Sequence, residues 1–166
     1  MIKHSLAAEI IMRALARHFG QDQEKWGLAG LLHDIDYEKV KEDLSQHSLV
    51  GAKMLEEFGL DKDICQAVKV HNEAHGITPE TLMEKALFVA DPFTGLIVAA
   101  TLVLPSKKIK DLTVENVLNR FKEKAFARGA NRDIIIKCEE LLDLKLEAFV
   151  KTCLEAMQEI DQELGL

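Results

Sequence analysis

Apolar positions recur along nearly the whole chain at three- and four-residue spacing, the period of helices that bury one face. Ile2, Leu6, Ile10, Ala14 and Phe19 mark one face of a first helix, closed by Gly20. Asp22 can cap a second helix through Trp26, Leu28, Leu31 and Leu32 to about Ile35. Ser45 opens a third, with Leu49, Ala52, Met54, Leu55 and Phe58 apolar and Gly59 ending it. Asp61 opens a fourth through Ile64, Ala67, Val68 and His71 to about His75, ended by Gly76. Thr78-Pro79 reads as a cap followed by a first-turn proline, starting a fifth helix that runs to about Ala90. Asp91-Pro92 then separates it from an apolar helix over 96–104, stopped by Pro105. Thr113 opens a helix to about Arg128, and Asn131 a long last stretch to about Glu163. No run alternates strictly, so no strand is expected. The pattern predicts an all-α, compact single-domain bundle of roughly seven to nine helices with short loops.

The length, 166 residues, suits one domain over 1–166. Composition adds exclusions. Hydrophobic residues at 48% are too many for disorder, and three prolines rule out a Pro-rich linker. Twenty-one Lys and Arg against 28 Asp and Glu leave a net charge of -7, so no stable nucleic-acid binding is expected. A small phosphorylated ligand stays compatible with that balance, since a local cluster can hold it. Cys65, Cys138 and Cys153 are odd in number and lack C-x-x-C spacing, which suits buried reduced thiols. Lys3, Glu9 and Arg13 interrupt the first apolar pattern, unlike a signal peptide. The stretch 86–104 carries the single charge Asp91, but its strictly apolar part is too short for a bilayer. The expectation is a cytoplasmic protein without a membrane span.

Candidate chemistry gathers at helix ends. Leu31-Leu32-His33-Asp34-Ile35-Asp36 places an imidazole and carboxylates after an apolar run. An acid buried there costs several kcal/mol unless something neutralises it. A divalent cation would do so, and imidazole with carboxylate is a normal donor pair. Equally, Asp34 or Asp36 can cap the next turn with His33 as its partner. Asp91, within Phe88-Val89-Ala90-Asp91-Pro92-Phe93, poses the same problem. His71 and His75 lie four residues apart, but Asn72 follows the first His, unlike the H-E-x-x-H of zinc peptidases.

The order His4 … His33-Asp34 … Asp91 resembles the H … HD … D pattern of the HD-domain superfamily of metal-dependent phosphohydrolases, over about residues 1–99. The resemblance implies an all-helical fold of the HD-domain type, with a metal-binding core over about 1–99 and C-terminal helices over about 111–164. It implies metal ligands at His4, His33, Asp34 and Asp91. Gln46-His47-Ser48-Leu49-Val50-Gly51-Ala52 and Val68-Lys69-Val70-His71 are similar to segments of two-metal members, implying a second ion on His47 and His71 with Asp34 bridging. One departure is Tyr37, where single-metal nucleotidases often have Glu.

The segment 120–132 holds five basic residues and one acid, Glu123. Lys124 and Arg128 would project from one helical face, with Arg132 opening the next helix. They are candidates for phosphate capture, or they form a solvated face. The expectation is a phosphohydrolase acting on a nucleotide or other small phosphorylated metabolite, with one or two divalent ions (Fe, Mn, Zn or Ni). Asp34, His75 and Asp36 are its candidate catalytic residues, with Glu38 a further possible proton donor. A di-iron oxygenase of the same fold, a non-catalytic metal- or nucleotide-binding module and a plain interaction bundle remain alternatives. The sequence does not set an oligomeric state.

Overall fold

The computed structural model describes residues 2–166. Eleven α-helices occur among the described residues, with three 3-10 turns and no strand. They are α1 Ile2–His18, α2 Gln23–Leu32, α3 Tyr37–Val40, α4 Leu49–Glu57, α5 Lys62–Val70 and α6 Leu82–Leu102. The C-terminal part adds α7 Val114–Lys122, α8 Arg132–Ile135, α9 Cys138–Leu141, α10 Leu146–Glu159 and α11 Asp161–Leu164.

α6 is the axis of the bundle. It packs against α1, α2 and α5 on the N-terminal side and against α7, α8 and α9 on the other. Its buried positions, among them Leu87, Phe93, Leu96 and Ile97, lie all around the helix, as expected of a core helix. By length and composition it could cross a bilayer, yet 61% of its apolar window is buried inside the bundle. Phe93 meets Phe149 of α10, with ring centroids 5.1 Å apart. Cys65, Cys138 and Cys153 are free and buried. Burial pushes the Cys138 thiol up to about 12 and Cys153 well above its ordinary value, so neither is a thiolate at neutral pH.

The closest helix pairing is α1 with α2. A Cβ at Gly30 would lie 2.6 Å from the backbone oxygen of Ala8, so only glycine lets the two backbones approach this closely. That approach sets His4 of α1 beside His33 at the end of α2.

Several predicted boundaries hold. Asp22 caps α2 by accepting from the N–H groups of Glu24 and Lys25, and Thr113 caps α7 in a capping box with Asn116. Others do not. Asp91-Pro92 does not separate two helices: α6 runs through Pro92. The proline leaves the Phe88 carbonyl without its backbone donor, but packing on both sides of the helix outweighs that loss. α6 starts at Thr81 rather than Thr78-Pro79, because the Thr81 hydroxyl accepts from the Glu84 N–H and the Glu84 carboxylate bonds back to the Glu80 N–H. Ser45 does not open α4; it lies in a 3-10 turn, Leu44–Gln46, and α4 begins after Ser48.

The largest difference concerns the basic segment. α7 stops at Lys122, and 123–130 is a loop, so Lys124 and Arg128 do not share a helical face. Both are exposed and line a recess with Glu73, whose carboxylate accepts from Asn131. Arg132 is not a free phosphate ligand. Its guanidinium donates to the carbonyls of Arg120, Phe121, Glu123, Phe126, Ala127 and Ala130. One cation thereby collects the carbonyls released where α7 ends, which is why the chain can leave the helix there.

Arg132→Ala is expected to destabilise the fold by about 2–3 kcal/mol, because charge-assisted hydrogen bonds are lost and carbonyls are left unpaired. Urea unfolding and limited proteolysis within 123–131 measure it; unchanged stability would return Arg132 to the surface.

Candidate metal centre

Six side chains from five places in the sequence converge where α1, α2, α5 and α6 meet the loop before α4. His4 comes from the first turn of α1. His33 and His71 are the C-terminal cap residues of α2 and α5. Asp34 follows His33, Asp91 sits within α6, and His47 precedes α4. Three overlapping groups, His4/His33/Asp34, His33/His71/Asp91 and Asp34/His47/His71, each bring their ligand atoms within 4.8 Å of one another. The Nε2 atoms of His4 and His33 stand 3.0 Å apart. His4 Nε2 is 3.0 Å from Asp91 Oδ1 and 3.4 Å from Asp34 Oδ2, and His47 Nε2 is 3.1 Å from Asp34 Oδ1. The four imidazoles form a chain of edge contacts, His4–His33–His71–His47, with centroids 4.9, 5.0 and 5.1 Å apart.

Each imidazole is anchored at Nδ1, leaving Nε2 turned to the centre. His33 Nδ1–H donates to the Gly30 carbonyl at 2.7 Å, and His71 Nδ1–H to the Val68 carbonyl at 2.6 Å. The Thr94 hydroxyl donates to the Asp91 carbonyl, so its oxygen accepts from His4 Nδ1–H at 3.0 Å. His47 Nδ1–H donates to Asp36 Oδ1 at 2.8 Å. Such outer partners fix tautomer and ring orientation in metal-binding histidines. The donor set, four imidazole nitrogens and two carboxylates, suits a divalent transition metal.

The charges fit a place for a cation. Burial opposes charging His33, yet its hydrogen bond to Asp91 and the charges of Asp91 and Asp34 hold its pKa up at about 9. Burial and the His33 charge push His71 down to about 4. Burial also works against ionising Asp91, but His33 and His4 hold it well below the usual carboxylate range. Without an ion, the His33 imidazolium therefore supplies positive charge to the two carboxylates, and the hydrogen bond to Asp34, against burial and with the help of Asp36, shifts His47 upward as well.

One sequence expectation for a catalytic residue is corrected, and His75 is placed beside His47. Asp36 is fully buried behind His47 and accepts from the backbone N–H groups of Ser48 and Gly51 as well as from His47. It cannot reach a substrate. His75 Nε2–H donates to the His47 carbonyl at 2.6 Å, and His75 stands outside the cluster. Asp34 faces the centre and also lines a groove with Leu31, Tyr37 and Glu38. Among the acids expected near Asp34, Glu38 is the exposed one on that groove. Thr94 was not among the sequence candidates; a hydroxyl three residues after Asp91, one helical turn on, was its only signal.

These features define an all-helical protein with a buried His/Asp centre of metal-binding type. The HD-domain family model matches residues 1–96, and the chain belongs to this superfamily of metal-dependent phosphohydrolases. Among curated proteins it is similar to ribonuclease Y of Lawsonia intracellularis, 30% identical over 137 residues, covering 81% of this chain and 26% of the relative. Ribonuclease Y of Nitratidesulfovibrio vulgaris is 31% identical over 137 residues, with the same coverage. Ribonuclease Y of Thermotoga petrophila is 28% identical over 170 residues, covering 99% of this chain and 32% of the relative. The chain thus spans about a quarter to a third of the length of these relatives. No solved structure matches significantly.

The two histidine shifts predict a stability maximum for metal-free protein near pH 6.5, the unperturbed value. Between pH 4 and 6.5 the unfolded chain takes up a proton that folded His71 refuses, so stability rises with pH. Between pH 6.5 and 9 folded His33 keeps a proton that the unfolded chain has released, so stability falls. Urea midpoints of chelator-treated protein across this range check the curve. Saturating metal should remove the alkaline decline, because an ion binds neutral imidazole and displaces the His33 proton.

Proposed function

We propose that this chain is a metal-dependent phosphohydrolase acting on a nucleotide or other small phosphorylated metabolite. The observation that carries the reading is the convergence of four Nδ1-anchored imidazoles on Asp34 and Asp91. In this reading His4, His33, Asp34 and Asp91 hold one ion, and His47 and His71 hold a second with Asp34 shared between them. Held by these residues, an ion would supply polarisation of a phosphoryl oxygen and a water whose pKa is lowered from 15.7 toward about 7. The chain's own part is to turn each imidazole's Nε2 toward the centre by anchoring Nδ1, to supply two carboxylate charges, and to keep Asp34 open to solvent on one side.

A small substrate is favoured by the surroundings. A groove of about 620 Å³ runs from His4 and Thr94 along Gly95, Val98, Ala99 and Leu102 to Leu166. That size falls in the range of small-molecule sites, roughly 300–1,000 Å³. Among the described residues, Lys3 is the single Lys or Arg lining either this groove or the one at Asp34. One cation suits a phosphate monoester or diester; an extended polyanion gains its affinity from many. The second reading, RNA as substrate, is favoured by the ribonuclease Y relatives.

Metal analysis of freshly purified protein, then turnover of nucleotides and of a labelled single-stranded RNA with manganese, iron, zinc or nickel, tests both. Small-substrate hydrolysis without RNA cleavage supports the first reading; RNA cleavage alone replaces it with the second. Asp34→Ala is expected to remove metal and turnover together and to lower metal-free stability, because His33 and His47 lose the carboxylate they pair with. Full metal content in that variant would break the site assignment. Gly95→Leu is expected to raise KM without lowering metal content. A side chain there enters open space in the groove, and losing a helical glycine gains up to about 1 kcal/mol. An unaltered KM would empty the groove of its role.

A further inference from the structure

Three of the four central imidazoles are placed by helices and anchored by neutral oxygens. His4 lies in α1 and bonds to Thr94, while His33 and His71 sit at helix C-termini and bond to carbonyls one turn back. His47 differs on both counts. It lies between a 3-10 turn and α4, with φ -58 and ψ 141, so no helix fixes its direction. The next residue, Ser48, has φ 71, a left-handed backbone that a non-glycine residue adopts at a cost of about 1–3 kcal/mol.

Asp36 is what holds this irregular segment. One carboxylate oxygen accepts from His47 Nδ1–H; the other accepts from Ser48 N–H at 2.8 Å and Gly51 N–H at 2.7 Å. The bond to Ser48 uses the N–H that the unusual backbone turns inward, and Ser48 Oγ donates to the Lys69 carbonyl to complete the clip. Gly51 belongs to the same device: a Cβ there would stand 3.2 Å from the Asp36 carboxyl carbon. Among the described residues, Asp36 is thus the carboxylate behind an imidazole of the cluster, with its oxygens taken up by His47, Ser48 and Gly51.

We infer that Asp36 is a positioning residue that acts through His47 to set the affinity of one of two ion positions, leaving the other to His4, His33 and Asp91. The inference rests on the two-ion reading proposed above. A carboxylate on Nδ1–H orients the ring and raises the basicity of Nε2 toward an ion, and losing such a partner weakens metal binding about 10–100-fold. The shared Asp34 is untouched, so the effect is confined to the position that His47 serves. A substitution that merely loosened the fold would weaken both.

Manganese(II) is titrated calorimetrically into metal-free wild type, Asp36→Asn, His47→Ala and the double variant, with urea unfolding of each metal-free protein alongside. Wild type is expected to take up two equivalents. Asp36→Asn should weaken one by about 10–100-fold and leave the other unchanged. In the His47→Ala background Asp36→Asn should cause no further loss, since both substitutions cut the same linkage. Equal weakening of both equivalents, no weakening at all, or an additional loss in the double variant would overturn the role of Asp36 while leaving the metal centre standing. Fewer than two equivalents in wild type would overturn the two-ion reading and this inference with it. If Asp36→Asn does not fold, Gly51→Ala displaces the same carboxylate while retaining its charge, and the same selective loss is required of it.

Discussion

Two carboxylates and four imidazoles at the junction of apolar helices have to be compensated, and much of the N-terminal half is arranged to do it. Left alone, ionised Asp34 and Asp91 would carry a desolvation cost of several kcal/mol each. The chain answers with geometry. Gly30 lets α1 and α2 approach at backbone distance, so His4 and His33 meet. His33 stays protonated up to about pH 9 and stands between the acids as a cation. His71, next to it, is kept neutral first by burial and then by repulsion from the His33 imidazolium. A divalent ion meets the same electrostatic demand more fully than one proton, and exchange between the two is the link from fold to function.

The outer partners of the imidazoles come from elements that would otherwise serve only packing. The carbonyls of Gly30 and Val68 lie in the last turns of α2 and α5, where helix geometry leaves carbonyls without donors. The two histidines meet that need from the cap positions, so one hydrogen bond closes a helix and aims a ligand. Thr94 does the equivalent on α6, where it joins the Asp91 carbonyl to His4 across the bundle. Helix termination and site construction are here the same event, which is why the candidate residues cluster at predicted helix ends.

That coincidence also explains what the sequence revealed. Helical periodicity, the caps Asp22 and Thr113, and the motif around His33-Asp34 were legible because each depends on residues close in the chain. The convergence of His47 and His71 was legible through family resemblance and not through spacing. Their place after the same apolar helix does not separate Asp34 from Asp36; the family resemblance singles out Asp34 as a ligand, and the position of Ser48 and Gly51, brought back by the loop before α4, gives Asp36 its buried role. Pro92 read as a break because local rules price a lost hydrogen bond and cannot see helices packed on every side of α6. The loop at 123–130 read as helix because its organiser, Arg132, lies beyond it and acts through carbonyls that carry no sequence signature.

The basic segment and the acidic chain then take on separate meanings. Arg132 spends its donors on the backbone, Arg120 pairs with Glu123, and Lys124 and Arg128 face a recess that also holds Glu73. Among the described residues, the lysine beside the cluster is Lys3, at the mouth of an apolar groove. A phosphate group placed at the centre would thus be balanced by ions rather than by side-chain cations, and the rest of its molecule would lie on Val98, Ala99 and Leu102. Recognition of that kind distinguishes ligands by the shape of their uncharged part. It would be compatible with a net charge of -7, because the attraction would be short-ranged and local to the centre, with long-range repulsion from surface carboxylates screened beyond about 8–10 Å at physiological salt.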